Sequence, residues 1–289
     1  MSVRYTRKPK NRARRRPAVI VCDILIAATL VMAAAAVYNI ALPLLSYKAC
    51  DDASAEIAAL ALTRVTPEND DGAENGETLV SDETSDAQSF ADTQQASEPF
   101  VLSADFELLA SINTDIKAWL ISGGTVINYP VLQTSDNEYY LTHMYNRRRN
   151  MTGSIFIDAA NSPDFSDRHT VIHGHNMKNG SMFASLTNYA DEEYFAAHKS
   201  LTLLTPDGSY TLYVFSAYVT DVTTGEAYMT SFANGVSFAA YAEELKARSL
   251  ISADVSVGEN DRIVTLSTCI KTNGVSDERF VVHTVLKEN

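Results

Sequence analysis

A single cysteine, Cys269, stands in the part of the chain that reads as globular. It closes the run Arg262-Ile263-Val264-Thr265-Leu266-Ser267-Thr268, whose aliphatic and β-branched residues favour a strand. The polar residues Lys271-Thr272-Asn273-Gly274 follow, so the sulfur is expected where a sheet gives way to a loop. A thiol attacks as its thiolate and needs a partner that handles the proton. His175 is of the right type and in a similar setting. It follows Val171-Ile172-His173-Gly174, and Gly174 lets the backbone turn without a side-chain clash. Arg279 opens the last β-type run, ten residues after Cys269. That spacing allows a loop out and a return beside the cysteine, where a guanidinium can hold a carbonyl and stabilise an oxyanion.

Each residue also has a plainer reading. A lone cysteine serves as a small buried hydrophobe, a histidine as a hydrogen-bonding group, and Arg279 as a surface partner of Asp277 or Glu278. Three suitable types at strand ends carry more weight together than any one alone. His173 and His175, two apart, also offer zinc-type ligands alongside Cys269, but no paired-cysteine motif or Glu-bearing helix accompanies them. The chemistry of a thiol, an imidazole and a guanidinium requires no cofactor. His143, His169, His198 and His283 form no pattern in the sequence.

The elements that must position these groups are mostly β. Runs over 125–132, 153–158, 170–174, 201–205, 209–222, 262–268 and 279–287 are rich in Val, Ile, Tyr, Phe and Thr. Pro206-Asp207-Gly208 is a hairpin turn between two of them. Ser103 is a candidate cap for a short helix carrying Phe106, Leu109 and Ala110, and a second helical stretch is expected over 115–120. Phe238, Tyr241, Ala242 and Leu245 recur at helical spacing before the last two strands. Many short strands and few helices suggest a closed or nearly closed barrel.

Before residue 101 the composition changes twice. Residues 1–16 hold eight Lys and Arg and no acid, and an apolar run then extends over 18–45. That run is long enough to cross a bilayer, and the preceding positive charge favours a cytoplasmic N-terminus with the bulk of the chain outside. A cleaved signal peptide is the alternative, with Ala34-Ala35-Ala36 as small-residue chemistry. Residues 51–100 carry thirteen acids against one base, Arg64, and few large apolar groups, which predicts a solvated linker, with 53–64 able to form a helical extension of the anchor. The expected division is therefore a basic cytoplasmic segment (1–17), a membrane anchor (18–45), an acidic disordered linker (46–100) and a catalytic domain (101–289). The net charge of −13 argues against nucleic acid as a partner. One cysteine in the globular part excludes a disulfide framework there.

Thr265-Leu266-Ser267-Thr268-Cys269, with Arg279 beyond it, resembles the active-site strand of sortases. The run from Val171 through Gly174-His175-Asn176-Met177 to Leu186 is similar to the class B histidine motif. Ile127-Asn128-Tyr129-Pro130-Val131-Leu132-Gln133, Asp136-Asn137-Glu138-Tyr139-Tyr140-Leu141 and Gly153-Ser154-Ile155-Phe156-Ile157-Asp158 are also similar to that class. The resemblance implies an eight-stranded β-barrel with N-terminal helices and a helix in the long connection before the Cys strand. It implies a transpeptidase of Gram-positive cell surfaces with Cys269, His175 and Arg279 as catalytic groups. Its partners would be secreted proteins with a C-terminal, Thr-containing sorting signal and an amine of a peptidoglycan precursor or pilin subunit. The class B pocket implies substrate contacts at Asn128, Leu132 and Ser267, with His173 and Thr268 beside them. Two positions depart from the pattern: His173 replaces the usual aromatic residue, and Ile270 replaces a frequent acid. Two rival readings are an L,D-transpeptidase, whose Arg lies two residues after its Cys where this chain has Lys271, and an inactive tethered binding module on the same barrel.

Overall fold

In the computed structural model, residues 17–65, 101–270 and 277–289 are described. Helix α1 (Pro17–Ala61) holds Pro43. The residues through Lys48 form one unit and Ala49–Asn289 the other. Within the first unit the apolar side chains of α1 are exposed, Val31, Val37 and Leu45 among them. From Val21 the helix is long and apolar enough to cross a membrane, with a mean hydropathy of 2.2 over its most apolar window.

The second unit is built on a closed barrel of eight strands. Strands β1 (Leu62–Val65) and β2 (Val101–Ala104) form a separate two-stranded sheet. The barrel strands are β3 (Ile116–Ile121), β4 (Asn128–Leu132), β5 (Ile155–Ile157), β6 (His169–His173), β7 (Ser200–Thr205), β8 (Gly208–Asp221), β9 (Arg262–Cys269) and β10 (Glu278–Glu288). Their order around the barrel is β10-β8-β7-β3-β4-β5-β6-β9. Pairing is antiparallel except for β4 with β5 and β6 with β9. Alternate residues point inward, so Leu120, Val131, Ile172, Leu266 and Val282 fill the interior.

The described residues form four α-helices. Besides α1 they are α2 (Phe106–Ile112), α3 (Glu192–Ala197) and α4 (Gly235–Ala247). Helix α4 lies in the connection from β8 to β9, as expected, and buries Phe238, Tyr241, Ala242 and Leu245. Asn234 caps it through a reciprocal bond pair with Ser237.

The structure departs from the sequence expectations in three places. The stretch expected as helix over 115–120 is β3; Ile116, Ala118, Trp119 and Leu120 are all buried between neighbours, and burial on both faces conceals strand alternation. The cap of α2 is Asp105, whose carboxylate accepts from the Leu108 amide at 2.9 Å, while Ser103 pairs in β2. The third departure concerns the expected linker. The helical extension over its first part is present, as α1 runs to Ala61 and passes into β1, but it is not solvated all round: Ile57 and Ala61 are buried against Leu109, Trp119, Leu132 and Tyr140. Leu62 pairs with Ala104, and the Asp105 amide donates to the Ala61 carbonyl at 2.8 Å, so the chain departs after Val65 and returns at Val101 beside its point of departure. The remainder of the linker, 66–100, lies outside the described residues.

Candidate active site

Three adjacent strands bring the chemistry-bearing residues to one rim. Strands β6 and β9 run parallel with His173 level with Ser267, and β9 runs antiparallel to β10 with Cys269 opposite Arg279. Because Leu266 and Phe280 face the interior, Ser267, Cys269 and Arg279 face outward on one surface. The Cys269 side chain is partly exposed, whereas Cys50 is buried, at 3% exposure, under the barrel's packing.

The turn after β6 is held tightly. A side chain at Gly174 would meet the Phe183 ring at 2.6 Å and Ile155 at 2.9 Å, so only glycine fits. The Gly174 amide donates to the Ser267 carbonyl at 3.0 Å, and Thr268 Oγ1 donates back to the Gly174 carbonyl at 2.8 Å. These bonds tie the turn carrying His175 to the strand carrying Cys269. Asn176 donates through Nδ2 to the carbonyls of Cys269 (2.9 Å) and Ile270 (3.2 Å). The His175 Nε2 lies 2.8 Å from the Leu141 carbonyl, which can only accept, so this nitrogen carries a proton.

These groups border a groove of about 500 Å³ lined also by Asn137, Leu141, Phe156, Asp158, Val222 and Tyr228. On one wall the His173 Nε2 meets Asp158 Oδ2 at 2.9 Å, and Asn137 donates to the same oxygen at 2.9 Å. The hydrogen bond from His173 is the largest cause holding the Asp158 carboxyl below its ordinary acidity range. Beside it, the Tyr228 ring lies 6.4 Å from the His173 ring, and the Tyr228 hydroxyl and Ser267 Oγ are 2.9 Å apart.

Of the residues singled out from sequence, His173, His175, Ser267, Thr268, Cys269 and Arg279 meet at this groove. Asn128 and Leu132 do not. Asn128 accepts from the Trp119 indole N–H at 2.7 Å, and Leu132 is fully buried against Ile57 and Trp119. Asn137 and Leu141 reach the groove instead. Their placement depends on Asp136, whose carboxylate accepts from the amides of Glu138 (2.8 Å) and Tyr139 (2.7 Å), and on Gly153 at φ +59°, where a Cβ would lie 2.4 Å from the Tyr140 carbonyl. The 136–141 block was visible in the sequence, but only the fold shows which of its side chains turn toward the cysteine. Tyr228 had no local signal; it arrives from the long connection after β8.

A closed eight-stranded barrel with a cysteine, a histidine and an arginine at one rim defines a thiol-bearing enzyme class, and the comparisons identify it. The sortase domain model matches residues 123–287. Sortase B of Listeria monocytogenes is 39% identical over 175 residues, 60% of this chain and 70% of that protein. Sortase B of Staphylococcus aureus is 38% identical over 178 residues, 61% of this chain and 72% of that protein. The solved Staphylococcus aureus sortase B–substrate complex superposes with a TM-score of 0.60 at 36% identity, covering 63% of this chain and 84% of that one. The chain belongs to the sortase family, in its class B, and is a cysteine transpeptidase of cell-surface proteins.

Proposed function

We propose that this sortase cleaves a C-terminal sorting signal after a Thr and transfers the upstream protein to an amine of the cell wall or of a pilin subunit. The observation that carries this is the pairing of Cys269 with Arg279 across β9 and β10, at a groove that His175 also lines. In the first step the Cys269 thiolate adds to the Thr carbonyl carbon. Arg279 stabilises the resulting oxyanion. The C–N bond breaks, and the leaving amine takes a proton from the His175 imidazolium, giving a thioester. In the second step an incoming amine loses its proton to His175, attacks the thioester, and releases the Cys269 thiolate. With the His175 Nε2 engaged by Leu141, Nδ1 is the nitrogen left to exchange the proton.

Asn137, Leu141, His173, Ser267, Thr268 and Tyr228 form the walls that receive or shape the signal. Residues 18–45 serve as a membrane anchor with the basic segment 1–17 on the cytoplasmic side and the barrel outside; the support is the apolar length of α1 and the eight positive charges before it. The catalytic unit then begins near Ala49, earlier than composition alone suggests, because Ile57 and Ala61 share its core.

The test uses the full chain in detergent, with and without Cys269→Ala, incubated with a pool of Thr-containing peptides and hydroxylamine and read by mass spectrometry. A Cys269-dependent cut after Thr with a hydroxamate product is expected. Cleavage that persists in Cys269→Ala, or a broad pool left uncut with no thioester formed, overturns the reading.

A further inference from the structure

Four residues below the rim, the same three strands carry a second set of polar side chains. His169 on β6, Thr265 on β9 and His283 on β10 stand four residues from His173, Cys269 and Arg279 respectively, on the same outward face. Here the face is covered by the β8–β9 connection, and all three residues are fully buried. The Thr265 hydroxyl lies 2.6 Å from His169 Nε2 and 2.6 Å from His283 Nδ1. His169 Nδ1 lies 2.7 Å from the Met229 carbonyl.

The direction of these bonds follows from the end that has no choice. A carbonyl only accepts, so His169 Nδ1 carries a proton. Burial keeps the ring neutral, so Nε2 is bare and accepts from the Thr265 hydroxyl. That hydroxyl has one proton to give, so it accepts from His283 Nδ1–H. The chain runs one way: His283 to Thr265 to His169 to the backbone of Met229. Met229 adjoins Tyr228, whose ring lines the groove and whose hydroxyl meets Ser267, two residues above Thr265. Ala227, on the other side, is fully buried.

We propose that His283, Thr265 and His169 are positioning residues that fix the 227–229 segment on the barrel and thereby set Tyr228 as a wall of the peptide groove. None of the three touches the groove. The connection after β8 crosses from a short 3₁₀ turn (Val222–Thr224) to α4 without a strand to hold it, and the Met229 carbonyl is an attachment of its backbone to the sheet, beside the side-chain bond from Tyr228 to Ser267. Without that backbone tie Tyr228 would rest on its hydroxyl's bond to Ser267 and on the packing of Ala227, and the width of the groove would vary more. The inference rests on the reading that the groove receives the sorting signal.

The experiment compares the full chain in detergent with Thr265→Val and Thr265→Ser. Valine keeps the shape and removes the hydroxyl; serine restores it. The first readout is hydrogen exchange at Ala227–Met229. The second is KM and kcat for the Thr-containing peptide that the unaltered chain turns over fastest. Thr265→Val is expected to speed exchange in that segment and to raise KM, each by about tenfold, the ratio that losing one buried hydrogen bond commonly produces. The kcat should change less than KM, and Thr265→Ser should recover both readouts. A folded Thr265→Val chain with unchanged exchange and unchanged KM overturns the proposal. If that variant does not fold, exchange in the unaltered chain decides: protection at 227–229 matching that of β9 supports the proposal, and open-loop rates overturn it. A chain that turns over no peptide would refute the groove reading, while the exchange arm would still report on the relay.

Discussion

Replacing Ile57 by Ala tests where the enzyme begins. Ile57 is 1% exposed and packs in a cluster with Leu109, Ile116, Trp119, Leu132 and Tyr140. The substitution removes three side-chain carbons, about 2.4 kcal/mol of transfer free energy at about 0.8 kcal/mol each. The space left behind adds to this, for a loss of about 3 kcal/mol. For a unit of this size that corresponds to a fall in melting temperature of about 6–12 °C. The chain has one tryptophan, Trp119, and it lies fully buried in the same cluster, so its emission reports both global melting and local loosening. A drop of less than about 2 °C with unaltered emission would mean that the tail of α1 contributes nothing, and that the barrel is complete from residue 101. The same reasoning predicts that a chain started at residue 101 exposes Trp119 and shifts its emission to longer wavelength.

Arg279→Lys should lower kcat by about a hundredfold in a peptide assay, because a point charge lacks the planar fork that grips a carbonyl oxygen in the transition state. Asn137→Ala should raise the peptide KM, whereas Asn128→Ala should leave KM alone and lower stability by about 1–3 kcal/mol, since it strands the buried Trp119 N–H. Acid should unfold the domain from an unusually high pH. Burial depresses His169 to about 4 and lowers His283 as well, so both rings are neutral when folded and protonate first in the unfolded chain. Stability is then full above about 6.5 and falls as pH drops toward 4, by about 3 kcal/mol from His169 alone, as denaturant titrations across that range will show. Asp158, held acidic by His173, adds its own loss at lower pH still.

Most of the barrel was legible because its strands read as runs of β-branched and aromatic residues. Strand β3 was not, since Trp119 and Leu120 are buried on opposite faces and leave no alternation. The packing of the end of α1 into the core was hidden by composition. Between Asp51 and Ala61 acids and alanines dominate, and the one large side chain that docks, Ile57, is a single residue whose weight appears only when Trp119 and Leu132 are seen around it. Reading acidity as solvation was sound for the exposed face of that helix and wrong for the buried one.

The site shows the same division between local and non-local information. Cys269, His175 and Arg279 announce themselves by residue type at strand ends, and register alone then sets Cys269 opposite Arg279. The walls do not follow from type and spacing. Asn128 and Leu132 are four apart, and so are Asn137 and Leu141. On strand β4 an even spacing puts both members on one face, and that face is turned to Trp119 and not to the groove: Asn128, itself exposed, accepts from the indole, and Leu132 is buried with Trp119 and Ile57. Asn137 and Leu141 share no strand. They straddle a turn built on the Asp136 carboxylate, and that turn folds over β5 so that both members reach the groove. Equal spacing thus has opposite consequences in a strand and in a turn. His169, Thr265 and His283 pose the converse case: widely separated in sequence and without any motif, they meet because three strands with a fixed register each place a polar residue four positions below the rim.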